Sequence, residues 1–360
     1  MQSVAAVMML LAAFPGSEVA EDEVVACYPT FAARDPGGRT WTLHIHGLIC
    51  EPQDSSVRRR AALSTLRSIV GVEETGAERE RFERRIRHFL CDNERNKSFA
   101  VRLGTRRYLV GPSQANGHFD NRLRLSAQEV ASFERDDRGW IAYSVALPEG
   151  DARQFRGRVQ LVEPEGLSIV SDIDDTIKVS DVRDRRELLA NTFLREFRAV
   201  EGMAPLYEQL AAKGAVFHYV SASPWQLSGP LAEFLDDAGF PAGSLHLKIV
   251  RAKDSTIFDL FGPQDGWKRG AIEPVLDAFP NRRFVLIGDT GEEDPEIFGD
   301  LARRYPGRIA GVFIRKTKGA ANDDERLRRA FRDLDESTWA AFDDPQEIEP
   351  ALLRVANAGR

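Results

Sequence analysis

The distribution of apolar and polar residues divides the chain into two parts with different periodicities. In the first part, apolar and polar residues alternate over several short runs, as at 39–49, and this period of two predicts strands. We predict further strands at 98–103, 107–110, 117–125 and 140–147. Residues 58–70 and 77–90 instead place apolar residues three and four positions apart, which predicts helices. The first part is therefore predicted to be a mainly β domain with a helical insertion.

After residue 163 the rhythm changes to short apolar runs that alternate with amphipathic segments. The predicted strands are Leu167–Ser171, Ala215–Ser221, Leu245–Val250, Arg283–Gly288 and Ile309–Ile314. The predicted helices are 186–199, 203–213, 226–238, 269–279 and 295–305. Such alternation is typical of an α/β domain in which helices cover both faces of a doubly wound parallel sheet. The ligand site of such a domain lies beyond the carboxyl ends of its strands.

The predicted domain division has four parts. Residues 1–20 are a candidate signal peptide, 21–163 the smaller β domain, 164–318 the α/β domain and 319–360 an acidic helical tail. The apolar run at 4–14 has the length of the hydrophobic region of an export signal, although no Lys or Arg precedes it. We predict export to the periplasm in preference to a cytoplasmic location; the alternative is a buried or frayed N-terminal segment.

Composition and charge exclude several classes of protein. No apolar run reaches the roughly 18–20 residues of a membrane-spanning helix. The net charge of −7 argues against a general nucleic-acid-binding protein. Residues 55–110 nevertheless contain 14 Lys and Arg against 7 Asp and Glu. This basic segment predicts contact with phosphates or with the surface of an anionic membrane, unless its arginines only cover solvated helix faces.

Candidate catalytic residues follow the predicted strands of the second part. Asp172 and Asp174 come directly after the first of these strands, and Asp289 and Asp294 follow the fourth. Unpaired buried carboxylates are costly, so several of them beside an apolar strand indicate a functional site. The predicted site also includes a serine after the second strand and a lysine at the start of a helix, Ser221 and Lys268. The acids would bind a hard cation and supply a nucleophile, while the hydroxyl and the ammonium would bind phosphate oxygens.

These residues occur in an order that resembles a known signature. The order is similar to that of the four motifs of the haloacid-dehalogenase superfamily of phosphohydrolases: Asp172-x-Asp174-x-Thr176, Ser221, Lys268 and Gly288-Asp289-x4-Asp294. A narrower resemblance is to the catalytic domain of actin-patch-type phosphatidate phosphatases. It rests on the segments SDIDDTIKVSDV, NTF, FHYVSASPWQL, LHLK and FVLIGDTGEEDPEIF. This resemblance covers about 162–317. The segment CYPTFAARDPGGRTWTLHIHGLICEP resembles less sharply the upstream region of bacterial relatives.

The resemblance implies a haloacid-dehalogenase-like fold and a role for each residue. Asp172 would attack phosphorus to give an aspartyl-phosphate, and Asp174 would protonate the leaving oxygen and then deprotonate the hydrolytic water. Mg²⁺ would be bound by Asp172, Asp289, the backbone carbonyl of Asp174, and Asp294 directly or through water. Ser221 and Lys268 would neutralise the phosphoryl oxygens.

The implied reaction is the Mg²⁺-dependent hydrolysis of phosphatidate to diacylglycerol and phosphate. Two alternatives stay open: the same chemistry on a soluble phosphomonoester or phosphoprotein, and an adaptor that binds lipid or protein through the β domain. The expected substrate is thus a phosphorylated lipid or another phosphomonoester. A peripheral contact of the protein with an anionic membrane is also expected, and a nucleic-acid partner is not. Aromatic and apolar residues in Pro224-Trp225 and at 257–261 would either contact acyl chains or belong to the core.

Five further residues have less definite predicted roles. Lys248 competes with Lys268 as the phosphate-binding lysine, and we favour Lys268 because it opens a helix shortly before the last acidic strand. Asp175 would orient Asp174 or cap a turn. His44 and His46 share one face of a strand and could bind a metal, but without a neighbouring set of ligands a structural role is favoured. His218 is predicted to be a packed core histidine.

Overall fold

The computed structural model describes residues 19–52, 76–249, 266–317 and 323–358, together with Ser64, Arg67 and Gly71. The candidate export signal, most of the predicted helix 58–70 and the apolar segment 257–261 lie outside these residues. Contacts between residues divide the chain into two compact units. Unit 1 comprises Met1–Asp54 and Leu90–Val162, and unit 2 comprises Ser55–Phe89 and Glu163–Arg360.

Unit 1 is built around a nine-stranded sheet. Its strands are β1 (Val24–Cys27), β2 (Thr30–Arg34), β3 (Thr40–Pro52), β4 (Cys91–Asn93), β5 (Phe99–Leu103), β6 (Arg106–Val110), β7 (His118–Ser126), β8 (Trp140–Ala146) and β9 (Arg156–Val162). The order along the sheet is β1-β3-β2-β9-β8-β5-β6, with β4 and β7 also paired to β3. All of these pairs are antiparallel except β2 with β9. One short helix, α2 (Ala127–Ala131), follows β7 and is capped by the hydroxyl of Ser126.

Alternation along these strands separates a core face from an outer face. Val101 of β5 and Leu43 of β3 are fully buried in the core of unit 1, whereas their neighbours Arg102 and Thr42 point to the other face. The strands predicted near 39–49, 98–103, 107–110, 117–125 and 140–147 are all present. Strands β1, β2, β4 and β9 were not predicted.

Unit 2 contains a six-stranded parallel sheet. Its strands are β10 (Leu167–Asp172), β11 (Val216–Pro224), β12 (Gly243–Lys248), β13 (Arg283–Asp289), β14 (Ile309–Arg315) and β15 (Trp339–Phe342), in the order β12-β11-β10-β13-β14-β15. Its helices are α1 (Ala77–Ile86), α3 (Arg185–Phe193), α4 (Met203–Ala212), α5 (Ser228–Asp237), α6 (Trp267–Ala278), α7 (Asp294–Arg304), α8 (Asp323–Ala330) and α9 (Pro345–Asn357). The strand order reverses direction between β10 and β13, which opens a crevice at the carboxyl ends of the strands. In the part of the chain that the structure describes, no helix is both long and apolar enough to cross a membrane.

The helical insertion groups with unit 2, not with the β domain in which the sequence analysis placed it. The Arg85 guanidinium of α1 donates hydrogen bonds to the carbonyl oxygens of Thr192 at 2.7 Å and Arg195 at 2.8 Å. Phe82 of α1 is fully buried and lies 6.1 Å from the ring of Phe193. These contacts explain why residues that are close to β4 in sequence belong to the other unit.

The predicted helix 186–199 extends too far, because α3 ends at Phe193. Beyond it the backbone pairs with the segment that follows β10: the N–H of Val179 donates to Arg198, and the N–H of Val200 donates to Ile177. Carbonyls at the end of the helix accept from arginines of α1 instead of from a further turn. A tertiary contact therefore ends a helix that local periodicity would continue.

The tail predicted to be helical also contributes a strand. β15 pairs in parallel with β14 and forms the edge of the sheet, while α8 and α9 flank it in sequence. α8 packs on α7, and its Leu327 is 2% exposed. The four residues of β15 are too few for a clear period of two in the sequence.

The start of β10 is held by one buried arginine. Arg282 is 3% exposed and donates to Ser168 Oγ at 2.9 Å, to the carbonyl of Glu163 at 2.9 Å, and to the carbonyls of Glu165 and Leu167. It thus ties the segment that enters unit 2 to the first strand of its sheet.

We expect Arg282→Ala to lower the free energy of unfolding of unit 2 by about 3–4 kcal/mol, because several buried acceptors lose a charged donor at once. Urea unfolding followed by tryptophan fluorescence measures this change. The adjacent Arg283→Ala is the matched control and should shift stability by less than about 0.5 kcal/mol, since its side chain is partly exposed. Equal effects of the two substitutions would contradict the assignment.

Candidate active site

The first acidic residue of the site stands at the end of the strand beside the crevice. Asp172 is the last residue of β10 and is 1% exposed. Its Oδ2 accepts a hydrogen bond from Thr176 Oγ1 at 3.0 Å, and its Oδ1 accepts one from Lys268 Nζ at 2.8 Å. The carboxylate is therefore fixed in orientation by two donors from different elements.

Two further carboxylates reach the same place from the neighbouring strand. Asp289 ends β13 and Asp294 begins α7, and both are fully buried. Asp294 Oδ2 accepts from the backbone N–H of Asp289 at 3.2 Å. A Cβ on Gly288 would lie 2.2 Å from this oxygen, so only glycine leaves room for the carboxylate over the end of β13.

Asp172, Asp289 and Asp294 form a group that can bind a metal ion. Each offers an oxygen atom, and these atoms all lie within 4.8 Å of one another. In the described part of the chain this is the one group of three or more His, Cys, Asp or Glu residues with such spacing. Three buried carboxylate oxygens are the donors that Mg²⁺ and other hard divalent cations prefer.

One lysine contacts most of the acidic groups. Lys268 lies in the first turn of α6, is 5% exposed, and bonds Asp294 as well as Asp172. Its Nζ also lies 3.2 Å from Glu292 Oε2, whose side chain is partly exposed. Four carboxylates, counting Asp289, therefore share the field of one ammonium group.

This excess of negative charge shows in the protonation of the site. Burial raises the pKa of Asp172 well above its usual value, Lys268 opposes the shift, and the carboxylates of Asp294 and Asp289 add to it. Burial and the nearby Asp294 likewise raise the pKa of Asp289. Burial is the largest cause of both shifts and repulsion between the carboxylates adds to it, so a bound divalent cation would favour the ionised forms.

Asp174 lies in a different environment from Asp172. Its Oδ1 lies 2.7 Å from Lys178 Nζ and accepts from Ser180 Oγ at 2.7 Å. Its Oδ2 accepts from Ser221 Oγ at 2.7 Å and from Ser223 Oγ at 2.9 Å. Burial would raise the pKa of Asp174, but Lys178 and the hydroxyl donors outweigh it and hold the pKa below the usual value.

The structure places the six predicted site residues in two bonded groups near the carboxyl ends of β10, β11 and β13. Asp172, Asp289, Asp294 and Lys268 form one group, and Asp174 with Ser221 forms the other. The hydroxyl of Ser221 at the carboxyl end of β11 is directed at Asp174, and its oxygen accepts from the backbone N–H of Ser223 at 2.9 Å.

The structure describes the surroundings of three positions with less definite predictions. Asp175 caps the turn after the site, because its carboxylate accepts the backbone N–H groups of Ser180, Asp181 and Val182 at 2.7–2.9 Å. Lys248 is buried at the end of β12. Burial lowers its pKa below the usual value, although Glu292 opposes this shift. Trp225 is 4% exposed and belongs to the core.

The histidines follow the structural interpretation. His218 is fully buried and its ring contacts Ser244 Oγ at 2.7 Å, which confirms it as a packed core residue. His44 lies against the ring of Phe31 at 4.5 Å, and His46 Nε2 lies 3.1 Å from His118 Nδ1. Within the described residues these histidines belong to no three-membered ligand group.

Sequence reasoning missed the residues that support the site. Thr176, Lys178, Ser180 and Ser223 bond Asp172 or Asp174; the quoted motifs contain all four, but no role was predicted for them. Three arginines distant in sequence donate to backbone carbonyls of the acidic loops: Arg315 to Asp175 at 2.6 Å, Arg183 to Thr290 at 2.6 Å, and Arg326 to Thr290 at 2.7 Å and to Glu292. No sequence signal identifies these arginines.

Comparison with known proteins gives matches over this segment of the chain. Residues 167–316 match the family described as phosphatidate phosphatase APP1, catalytic domain. Phosphatidate phosphatase APP1 of Saccharomyces cerevisiae is 34% identical over 167 residues, which cover 45% of this chain and 28% of the yeast protein. An uncharacterized protein of Schizosaccharomyces pombe is 31% identical over 167 residues, covering 45% of this chain and 27% of that protein.

The matched segment contains all six predicted site residues, but it spans less than a third of either fungal relative. Among solved structures, a β-glucuronidase of Parabacteroides merdae aligns with a TM-score of 0.26 at 9% identity, over 82% of this chain and 34% of that one. A TM-score this low carries no argument about fold or function.

Proposed function

We propose that this chain is a Mg²⁺-dependent phosphatidate phosphatase that hydrolyses phosphatidate to diacylglycerol and phosphate. The observation that carries the proposal is the buried group of Asp172, Asp289 and Asp294 in contact with Lys268. The group lies at the carboxyl ends of β10 and β13, within the segment that matches a phosphatidate phosphatase catalytic domain. We further propose that unit 2 has the haloacid-dehalogenase-like fold.

Asp172 is the proposed nucleophile. Thr176 and Lys268 hold its two oxygens, so the carboxylate is oriented before the substrate arrives. Attack on phosphorus forms an aspartyl-phosphate and releases the alcohol. The carboxylates of Asp172 and Asp289, the carbonyl of Asp174, and Asp294 directly or through water would hold Mg²⁺. Its positive charge would keep the nucleophile ionised and offset its repulsion of the phosphate.

Asp174 is the proposed acid and base. Its contacts with Lys178 and the serine hydroxyls favour the carboxylate form, which is the form needed to deprotonate the hydrolytic water. A phosphate dianion arriving beside Asp174 raises its pKa by like-charge repulsion, which favours the protonated form needed for the leaving oxygen. Ser221 and Lys268 are close enough to the two carboxylates to donate to phosphoryl oxygens between them.

The proposal is tested by a phosphate-release assay with and without Mg²⁺. Phosphatidate in mixed micelles, a water-soluble phosphomonoester and a phosphopeptide are compared at equal phosphate concentration. Mg²⁺-dependent turnover that is highest on phosphatidate supports the proposal. If only soluble esters are hydrolysed, the phosphatase reaction is supported but phosphatidate is not the substrate. If no substrate is hydrolysed, both the reaction and the substrate are overturned.

The C-terminal segment is proposed to support this site through Arg326 of α8, which lies outside the matched segment. Arg326 is oriented by Glu296, which accepts from its Nε at 2.7 Å and its Nη2 at 2.6 Å. It in turn donates to the loop between Asp289 and Asp294.

We expect Arg326→Ala to lower kcat/KM roughly 10-fold, because the loop that carries two cation ligands loses its fixed position. The concentration of Mg²⁺ that gives half-maximal activity should rise, and this is the measurement that separates loop positioning from general destabilisation. Arg329→Ala removes the same side chain from an exposed position on α8 and should leave both values unchanged. A reduced rate with an unchanged Mg²⁺ requirement would refute this role.

A further inference from the structure

The outer face of unit 1 carries an unusual row of arginines. Arg156 of β9 lies opposite Ser144 of β8, Ser144 lies opposite Arg102 of β5, and Arg102 lies opposite Arg107 of β6. Because neighbouring strands are about 4.8 Å apart, the row extends about 14 Å across the sheet. All three arginines are exposed.

The strands that carry the row have no acidic residue on the same face. The other outward-facing residues of these four strands are mostly small or apolar, and none is acidic: Ala100, Leu109, Ala142, Ala146 and Arg158. Arg102, Arg156, Ala142 and Ala146 line a shallow groove of about 590 Å³ together with the loop that precedes β9. In that loop Asp151 is engaged by Arg153 through two side-chain contacts of 2.6 and 3.0 Å.

Folding does not explain this arrangement. Like charges directly opposite one another on neighbouring strands destabilise a sheet, and Arg102 and Arg107 are such a pair. Neither forms a salt bridge with another described residue. Leu109, two residues after Arg107 on the same face, is 39% exposed and is one of two exposed large hydrophobic residues in the described chain.

We propose that this arginine face binds the surface of an anionic lipid bilayer. A sheet face with three exposed guanidinium groups and one exposed leucine is complementary to phosphate headgroups above an apolar layer. The choice of a bilayer as the occupant rests on the proposed function, since phosphatidate is an anionic lipid held in a membrane. The basic surface expected from residues 55–110 is thereby placed partly on β5 and β6 and extended to β9.

The test measures co-sedimentation of the full chain with vesicles of phosphatidylcholine alone and of phosphatidylcholine mixed with phosphatidylserine. Phosphatidylserine carries no phosphomonoester, so binding to it does not require the proposed active site. We expect binding to the mixed vesicles alone, and weaker binding at high salt. Each arginine near an anionic bilayer contributes roughly fivefold to the partition coefficient. The triple variant Arg102→Gln/Arg107→Gln/Arg156→Gln should therefore bind about 100-fold more weakly.

The control variant is Arg328→Gln/Arg329→Gln/Arg332→Gln, which changes the net charge equally at exposed positions of unit 2. It should bind vesicles as the unsubstituted chain does. Both variants should keep the same turnover of a water-soluble ester, and the variant of the arginine face should have a Tm no lower than that of the unsubstituted chain, because a like-charge pair is removed. Three results would overturn the proposal. The two triple variants could bind mixed vesicles equally, the unsubstituted chain could fail to bind them, or free phosphate at the concentration of the headgroups could displace it. If the unsubstituted chain does not hydrolyse the ester, the proposed enzymatic function fails, but the vesicle-binding result still tests the membrane proposal.

Discussion

Replacement of Asp172 by Asn is expected to reduce phosphate release to the background rate, a loss of at least about 10³-fold in kcat. The amide has the shape of the carboxylate and can still accept from Thr176, but it is neither a nucleophile for phosphorus nor an anionic ligand for a cation. The fold should persist, because the substitution removes one of four carboxylates that repel one another around Lys268. Release of inorganic phosphate from phosphatidate, measured beside thermal unfolding, checks both expectations.

Asp236→Asn is the matched control for this experiment. Asp236 is exposed on α5, and its substitution should change neither the rate nor the Tm. A folded Asp172→Asn protein that retains the unsubstituted rate would exclude the proposed nucleophile. Loss of activity accompanied by unfolding would instead be resolved with Asp172→Glu, which retains the charge but displaces the oxygen atoms.

The acidic residues of the site could be predicted because their physical signature is local. Asp172 and Asp289 each end a strand that is buried apart from the partly exposed Arg283, and a carboxylate next to such a run is conspicuous in the sequence. Parallel strands bring their carboxyl ends to one edge, so the meeting of these residues with Ser221 follows from the predicted alternation of strands and helices. Lys268 was predicted from its place at the start of a helix, and its bond to Asp172 agrees with that interpretation.

The supporting residues could not be predicted, because their roles depend on contacts between distant segments. Arg326 and Arg282 look like ordinary polar residues of amphipathic or loop segments, and only the folded chain shows that their donors reach buried carbonyls. The end of α3 at Phe193 has the same origin: arginines of α1, more than 100 residues earlier, take the carbonyls that a longer helix would use. Local periodicity carries no information about such partners.

The different environments of Asp172 and Asp174 also follow from tertiary contacts. The two residues are adjacent members of one motif, yet Asp172 lies among carboxylates while Asp174 lies against Lys178 and three hydroxyl groups. Their pKa values move in opposite directions, upward for Asp172 and downward for Asp174. The upward shift of Asp172 opposes the ionised form that a nucleophile needs, and a cation bound by Asp172, Asp289 and Asp294 would favour that form.

The charge imbalance around Lys268 leads to the prediction with the other large effect. Chelation of divalent cations is expected to abolish activity, and readdition of Mg²⁺ should restore it. The reason is that Asp172, Asp289 and Asp294 repel one another, and among their described contacts only Lys268 carries a compensating charge. The cation should also stabilise the fold. At 100 times its Kd it contributes about 2.7 kcal/mol, which corresponds to a rise in Tm of roughly 5–10 °C. Differential scanning fluorimetry with Mg²⁺, compared with NaCl at equal ionic strength, separates binding from screening.

Substitution of one ligand makes this prediction specific to the cluster. Asp289→Asn should lose both activity and the Mg²⁺-dependent rise in Tm, while its Tm without Mg²⁺ should equal or exceed that of the unsubstituted chain, because one repelling carboxylate is gone. Asp333→Asn, at an exposed position, should keep the full response to Mg²⁺. A rise in Tm that survives in Asp289→Asn would show that the cation binds elsewhere, and undiminished activity in the presence of chelator would show that Lys268 alone compensates the carboxylates.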